Sequence, residues 1–458
     1  MESLQGILNN LNGFVWGPYF LLPLLLLTGL YLTVRLGGLQ FRVLFHAFWL
    51  AFFKRDKNSD SPGDVTHYQA LVMALAATIG VGNIAGVATA IGIGGPGALF
   101  WMWITGLVGM ATKYSEALLG VKFRRTDAAG EQTGGPMEYL REGIGGKLGW
   151  LLGSSFALFG IAASFGIGNM VQAHTAASQL ASTWGIPTLW SGLLMMLLTG
   201  IVILGGVKSI AKFASAIVPT MIVLYVVSNL IVLAVFHERI PEALFTVFHD
   251  AFTGSAAAGG FAGSAVILAI QIGVSRGIFS NESGLGTGGI AAASAKTSQP
   301  VHQAMVSMTQ TFIDTLIMVT FTALTLIVTD AYLQEGLQGA AMTAWAIEQG
   351  LGNNWGIYSV TIAVVVYAFT TIVGWCYYGE RCAESLLGRR AIFHYRLVFT
   401  LVVLVGALTT LEMVWTFCDI ANGLMALPNL IGLLVLSGVV VRETRAYFSR
   451  PDWRDAPD

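Results

Sequence analysis

Charge is what this chain has least of. Only 11% of its 458 residues are Asp, Glu, Lys or Arg while 55% are apolar, against about 25% charged in a usual soluble domain. The mean hydropathy of +0.70 agrees, so most of the chain must be solvated by lipid rather than water. A formal net charge of -1 supplies no basic field, and no block of like charges forms a tail, which sets nucleic acid aside as a partner. Cysteine is scarce too. Cys376, Cys382 and Cys418 are odd in number and lie in apolar stretches, so neither a disulfide framework nor a paired CxxC metal or redox site is expected. The first apolar run, Phe14 to Val34, lacks a basic leader and a small-residue cleavage site. It is long enough to cross ~30 Å of hydrocarbon and reads as a retained helix.

What the chain has in plenty is long charge-free segments. Split at turn signals such as Gly94-Gly95-Pro96-Gly97 and Gly185-Ile186-Pro187, they predict eleven helices at roughly 14-36, 68-94, 97-122, 148-184, 188-206, 212-237, 260-293, 301-330, 356-386, 392-411 and 416-442. The positive-inside rule tests that division, because one wrong span would put later basic loops on the wrong side. With the N-terminus outside, the outer loops hold only Arg239, and of the 24 basic residues only Lys113 and Arg276 fall deep within spans. All the others lie in inner loops, at the inner ends of spans and in a cytoplasmic C-terminal tail.

The expected architecture is an all-α polytopic membrane protein with one extra N-terminal helix (14-36), a first five-helix repeat (68-237), a second five-helix repeat (260-442) and a tail (443-458). Five is odd, so the second repeat must run inverted. The first helices of the two repeats carry related interruptions, Ile79-Gly-Val-Gly-Asn-Ile84 and Ile272-Gly-Val-Ser-Arg-Gly-Ile278. Glycine costs about 1 kcal/mol in a helix interior, so Gly80, Gly82 and Gly86 in the first span and Gly273, Gly277, Gly284, Gly286, Gly288 and Gly289 in the second suggest unwound segments; close packing of small residues between helices is the plainer alternative. Paired interruptions point to a midplane binding site. Unwinding frees amides at one half-helix and carbonyls at the other, fields suited to a carboxylate and a cation. A zwitterion with a small monovalent ion fits them.

Four stretches carry a resemblance: Ala77 to Ala90 around Thr-Ile-Gly-Val-Gly-Asn, Thr133-Gly-Gly-Pro-Met137, Ser275-Arg-Gly-Ile-Phe-Ser-Asn-Glu-Ser-Gly-Leu-Gly286, and Thr370-Thr-Ile-Val-Gly-Trp-Cys-Tyr-Tyr-Gly-Glu380. With them the chain resembles the alanine or glycine:cation symporter family, the sodium:alanine symporters, over nearly its whole length. That family is similar in fold to the bacterial leucine transporter. The resemblance implies sodium-coupled uptake of a small neutral amino acid, alanine or glycine, across a bacterial inner membrane, with Na+ as coupling ion and no covalent cofactor.

Carried onto this sequence, the resemblance makes Thr78 and the amides of Gly80, Val81 and Gly82 a carboxylate cradle, with Asn83 on substrate or ion. Val274, Ser275, Gly277 and Phe279 form the facing wall, and Phe165 or Asn169 closes the pocket. The implied sodium ligands are the carbonyls of Ala76, Ile79 and Tyr367 with the hydroxyls of Thr370 and Thr371. Neutral oxygens suit a monovalent cation, since divalent ions usually take carboxylates, although a threonine pair can equally back-bond to its own helix. Trp375, one turn beyond Thr371, roofs the pocket and limits substrate size.

Charges inside spans cost about 2.5 to 3.5 kcal/mol each at a helix centre, which marks Arg276 and Glu282 as a gate pair and Asp314 and His174 as candidates for proton coupling. Proton-coupled symport and an uncoupled facilitator or exchanger therefore stand as alternatives. Gly273-Val-Ser-Arg-Gly277 satisfies G-x-S-x-G and Gly92-Ile-Gly-Gly-Pro-Gly97 satisfies G-x-G-x-x-G, but neither has the strand context such motifs need. An intramembrane hydrolase built on Ser275 is thus a remote alternative.

Overall fold

A computed structural model describes residues 2–54, 61–253, 262–352, 354–409 and 412–454. Arg55 and Lys57 of the first basic loop, the first two residues of the span expected at 260-293 and the last residues of the tail lie outside them. Helices carry almost all of the described chain; its one sheet pairs β1 (Arg125–Thr126) with β2 (Gln132–Thr133).

The chain opens with α1 (Glu2–Val15) and α2 (Leu21–Arg35). A turn at Gly37 and Gly38, both at positive φ, leads to α3 (Leu39–Arg42) and α4 (Leu44–Phe52). A capping box starts α5 (His67–Thr78): the Thr66 hydroxyl accepts the Gln69 N–H while the Gln69 side chain accepts that of Thr66. Past a break comes α6 (Ala85–Gly94), and Gly95 at positive φ with Pro96 turns the chain into α7 (Gly97–Lys122). The hairpin β1–β2 and the short α8 (Pro136–Tyr139) precede α9 (Gly146–Phe165) and α10 (Val171–Trp184), joined by a π-helical turn at Gly166–Met170. Then follow α11 (Thr188–Leu204), α12 (Gly206–Val235) and α13 (Ile240–Thr253).

The second half runs α14 (Ala262–Asn281), α15 (Thr287–Ala293), α16 (Pro300–Thr311) and α17 (Thr320–Val328), the last two joined by π-helical Phe312–Val319. It ends with α18 (Gly339–Leu351), α19 (Trp355–Leu387), α20 (Ala391–Leu408), α21 (Glu412–Val435) and α22 (Ser437–Phe448).

Seven of these helices are long and apolar enough to cross a membrane, with the α9–α10 and α16–α17 pairs each counting as one. The pair α5–α6, bent by 61°, makes an eighth if taken as one span, and α2 and α11 are shorter apolar helices. The outer faces fit the same reading. Leu194, Leu197, Ile201, Val223, Leu224, Leu401 and Val405 are exposed, a surface for lipid rather than water. Inside, α15, α16 and most of α7 are buried throughout. The chain is a polytopic helical membrane protein.

The first expected break is present; the second is displaced. Helix α14 runs unbroken through 272-278 to Asn281, because Gly273 and Gly277 serve close packing there. A Cβ at Gly273 would lie 2.5 Å from the Ala98 carbonyl oxygen, and one at Gly277 2.3 Å from Thr105 Oγ1 of α7. The chain leaves the helix at Glu282, where Glu282, Gly284 and Gly286 all take positive φ.

Candidate functional site

The first break ends α5 at Ile79, and its freed groups are answered by Asn83 and by side chains of α10 and α19, with α14 and the turn between α16 and α17 bracing Asn83. The Gly80 N–H donates to Asn83 Oδ1 at 3.0 Å and the Val81 N–H to Gln172 Oε1 of α10 at 3.4 Å. Asn83 Nδ2 donates in turn to Ser280 Oγ (3.0 Å) and Asp314 Oδ1 (2.7 Å), while Ser280 and Thr315 donate to Asp314 Oδ2. Asn83, Ser280, Asp314 and Thr315 are all fully buried, so the break is pinned from the π-helical turn between α16 and α17. Thr78 back-bonds to Ala74 (3.0 Å), which commits its hydroxyl within α5.

On the C-terminal side of α5 the freed carbonyls face α19. Thr371 Oγ1 donates to the Ala76 carbonyl at 3.2 Å and stands 3.5 Å from that of Ile79. Thr370 Oγ1 lies 3.0 Å from the Tyr367 carbonyl of its own helix. Three of the five oxygens implied as cation ligands, those of Ala76, Ile79 and Thr371, thus meet at one buried place, while the Thr370 hydroxyl stays with the Tyr367 carbonyl and Met221. The three are neutral, and among the described residues no carboxylate is bonded to them. Gly80 is obligatory here, since a Cβ would lie 2.6 Å from Thr371 Oγ1.

Of the residues expected as pocket walls, Phe279 packs beside Gly82 of the first break and Trp375 packs against Gly168. The Phe279 ring lies 3.1 Å from where a Gly82 Cβ would stand, and buried Trp375 occupies the room left by Gly168, whose Cβ would come within 2.4 Å of it. Phe165 and Asn169 face the other way. Phe165 stacks against Tyr395 and Phe399 of α20, and Asn169 donates to the Phe399 carbonyl at 2.8 Å. The physical reason is the π-helical turn at 166–170, which inserts a residue and rotates the helix face. Gln172 and Gly168 take the wall position instead. Ser275 bonds back to Ile272 (3.2 Å) and Gly277 packs on α7, so neither reaches the first break.

Two buried charges within α7, Lys113 and Glu116, hold the second break. Glu116 Oε1 accepts the N–H groups of Gly284 (2.9 Å) and Gly286 (3.0 Å) and the Asn429 amide (2.9 Å). Lys113 Nζ, 3.9 Å from Glu116, donates to the Glu282 carbonyl at 3.1 Å. The Glu282 carboxylate accepts from Thr287 (2.6 Å) and is reached by the Trp375 side chain. Both breaks therefore converge on α19 through Thr371 and Trp375.

The model of the sodium:alanine symporter family matches residues 1–457. The chain belongs to this family. Sodium/alanine symporter AgcS of Methanococcus maripaludis is 49% identical over 445 residues, 96% of each chain. A probable sodium/glutamine symporter of Bacillus subtilis, GlnT, is 36% identical over 98% of this chain and 91% of its own. Among solved structures, MhsT in complex with L-phenylalanine is similar in fold, with a TM-score of 0.60 at 14% identity, covering 84% of this chain and 90% of that one. The family's members are transporters and not enzymes, and amino-acid symport is their shared activity.

The family's Thr-Gly-Gly-Pro-Met stretch has a structural reason here. Gly134 and Gly135 let the chain pass under α15, where Cβ atoms would lie 2.6 Å from Ala293 Cβ and 2.5 Å from Ile290 Cγ1. Beside it the segment before α5 is stapled to the end of α15. Asp64 and Val65 donate to the Ser294 carbonyl, Lys296 donates to that of Val65, and Arg124 bonds the carbonyls of Pro62, Ala293, Ala295 and Thr297. Burial holds Asp64 above its ordinary value, although the Gln132 N–H donates to it. An ion network closes over this staple: Arg381 pairs with Glu131 and Glu384 (both 2.8 Å), Arg389 with Asp127 and Glu131, and Arg396 with Glu380. At the other end Arg276 does not pair with Glu282. Its guanidinium lies over Phe279 and shares a cavity of about 170 Å³ with Asp419 of α21.

Proposed function

We propose that this chain is a sodium-driven symporter that takes up a small neutral amino acid, alanine or glycine, by alternating access. The observation that carries the reading is the meeting of Thr371 Oγ1 with the Ala76 and Ile79 carbonyls at the first break. Neutral buried oxygens on two helices favour a monovalent hard cation, and a bound cation would tie α5 to α19. The substrate carboxylate would take over the Gly80 and Val81 amides now held by Asn83 and Gln172, with the Gly82 amide beside them. Phe279 and Trp375 bound the side-chain space, which favours a small substrate. The name of the AgcS relative supports alanine.

The fold proposed with this function has eleven spans: one leading helix and two inverted repeats whose first helices are α5–α6 and α14–α15. The basic residues favour a cytoplasmic C-terminus in an inner-membrane protein, with the stapled network on the inner side and Arg276, Phe279 and Asp419 as the outer gate. A second reading, proton coupling, is favoured by one observation. Asp314 accepts from Asn83, which caps Gly80, so a proton there would be felt at the break. Sodium-dependent thermal stabilisation of the purified protein tests the first reading. A saturable rise in unfolding temperature with sodium but not potassium, abolished in Thr371→Ala and kept in Asp314→Asn, supports it; the opposite pattern supports the proton reading.

A further inference from the structure

Away from the transport site, a cavity of about 1090 Å³ opens between the end of α2, the α3–α4 elbow and α22 with the segment after it. Arg35, Arg42, Arg445 and Arg454 line it, and among the described residues no acidic side chain does. The nearby acid Glu443 is engaged by Lys122 at 2.9 Å. The contacts that Arg35 and Arg454 make are with neutral groups: Arg35 donates to the Tyr31 hydroxyl (3.0 Å), and Arg454 lies over the Trp453 ring at 5.2 Å. Four guanidiniums around one space repel one another unless an anion sits among them. Guanidinium geometry suits the paired oxygens of a phosphate.

The rim says where that phosphate comes from. Phe45 is 88% exposed, and Phe41, Trp49 and Phe52 of the same elbow are also exposed. Aromatic side chains beside arginines at the end of an apolar helix are the composition of a membrane interface. A basic pocket at that level collects anionic headgroups, and the apolar rim would lie along acyl chains. We infer that this cavity is a binding site for the phosphate of an anionic phospholipid, which would clamp α2 and the elbow to α22. The inference is independent of which ion drives transport.

The test is thermal unfolding of the purified full-length protein titrated with short-chain phosphatidylglycerol, short-chain phosphatidylcholine or inorganic phosphate. The expected result is a saturable stabilisation by phosphatidylglycerol alone. At about 1 kcal/mol of surface attraction per arginine, removing two should raise the half-saturating concentration about thirtyfold. Arg35→Gln with Arg445→Gln is the first variant, and Arg42→Gln with Arg454→Gln is the second should the first not fold. Equal stabilisation by phosphatidylcholine, or an unchanged half-saturating concentration in a folded variant, overturns the site. Full stabilisation by inorganic phosphate overturns its assignment to lipid. The comparison of the lipids on unaltered protein needs no variant and can sink the inference alone.

Discussion

Thr371 is the residue on which two helices meet, and its substitution should separate ion from substrate. Removing one hydroxyl ligand at a buried cation is expected to cost about 1 to 2 kcal/mol, so Thr371→Ala should raise the sodium concentration for half-maximal uptake by roughly tenfold or more. Thr370→Ala, whose hydroxyl stays on its own helix, should move it less. Equal effects of the two would contradict the geometry. Trp375→Ala should admit amino acids with longer side chains, measured by competition against labelled alanine, while Gly168→Ala should disturb the same selectivity from the opposite wall by displacing the indole. The first break was legible because glycine and asparagine interrupt an apolar helix at a spacing only a special backbone uses. Gln172 was not legible. The resemblance puts Phe165 or Asn169 on the site, and a π-helical turn, which leaves no mark in apolar periodicity, brings Gln172 to the break instead.

The second break teaches the same lesson at the scale of elements. Glycines at 273 and 277 look like helix breakers, yet the helix passes through them because α7 lies too close for any side chain. Among glycines in an apolar stretch, close packing and unwinding compete, and only the partner helix decides. The true break is carried by Glu282 at positive φ with Gly284 and Gly286, and its free amides are answered by Glu116 from inside α7. Lys113 was visible within a span in the sequence, but the role of Glu116 beside it depends on a contact about 170 residues away. Replacing Glu116 with leucine leaves two buried N–H groups without an acceptor and Lys113 without its counter-charge. Loss of one partner in such a buried pair costs about 3 to 5 kcal/mol, so Glu116→Leu should lower the unfolding temperature sharply and Glu116→Gln much less. Equal losses would mean that shape rather than hydrogen bonding holds the loop.

For the whole molecule, the stapled end sets how the transporter responds to acid. Burial alone would raise Asp127 and Glu131. The Ala129 and Glu131 N–H groups at Asp127, and the Arg381 and Arg389 guanidiniums at Glu131, outweigh it and hold both below the ordinary carboxylate range. Depressed carboxylates contribute stability that is present above their unfolded values near pH ~4 and lost as pH falls through the lower folded values. The unfolding temperature should therefore show no loss from Asp127 and Glu131 at neutral pH and should fall, as these two take up protons, below about pH 4. In Arg389→Gln the fall should begin at higher pH; superimposable acid profiles would show that the network does not govern it.

The central claim is coupling to sodium, and concentrative uptake tests it most directly. Purified protein in liposomes would be offered labelled alanine under inward gradients of sodium, potassium or protons, imposed in parallel. Accumulation above equilibrium with sodium, and not with the other two, is the expected result, and in Thr371→Ala it should demand roughly tenfold more sodium. Accumulation driven by protons alone would contradict the claim and move the coupling step to Asp314, while equilibration without accumulation under every gradient would make the protein a facilitator or exchanger.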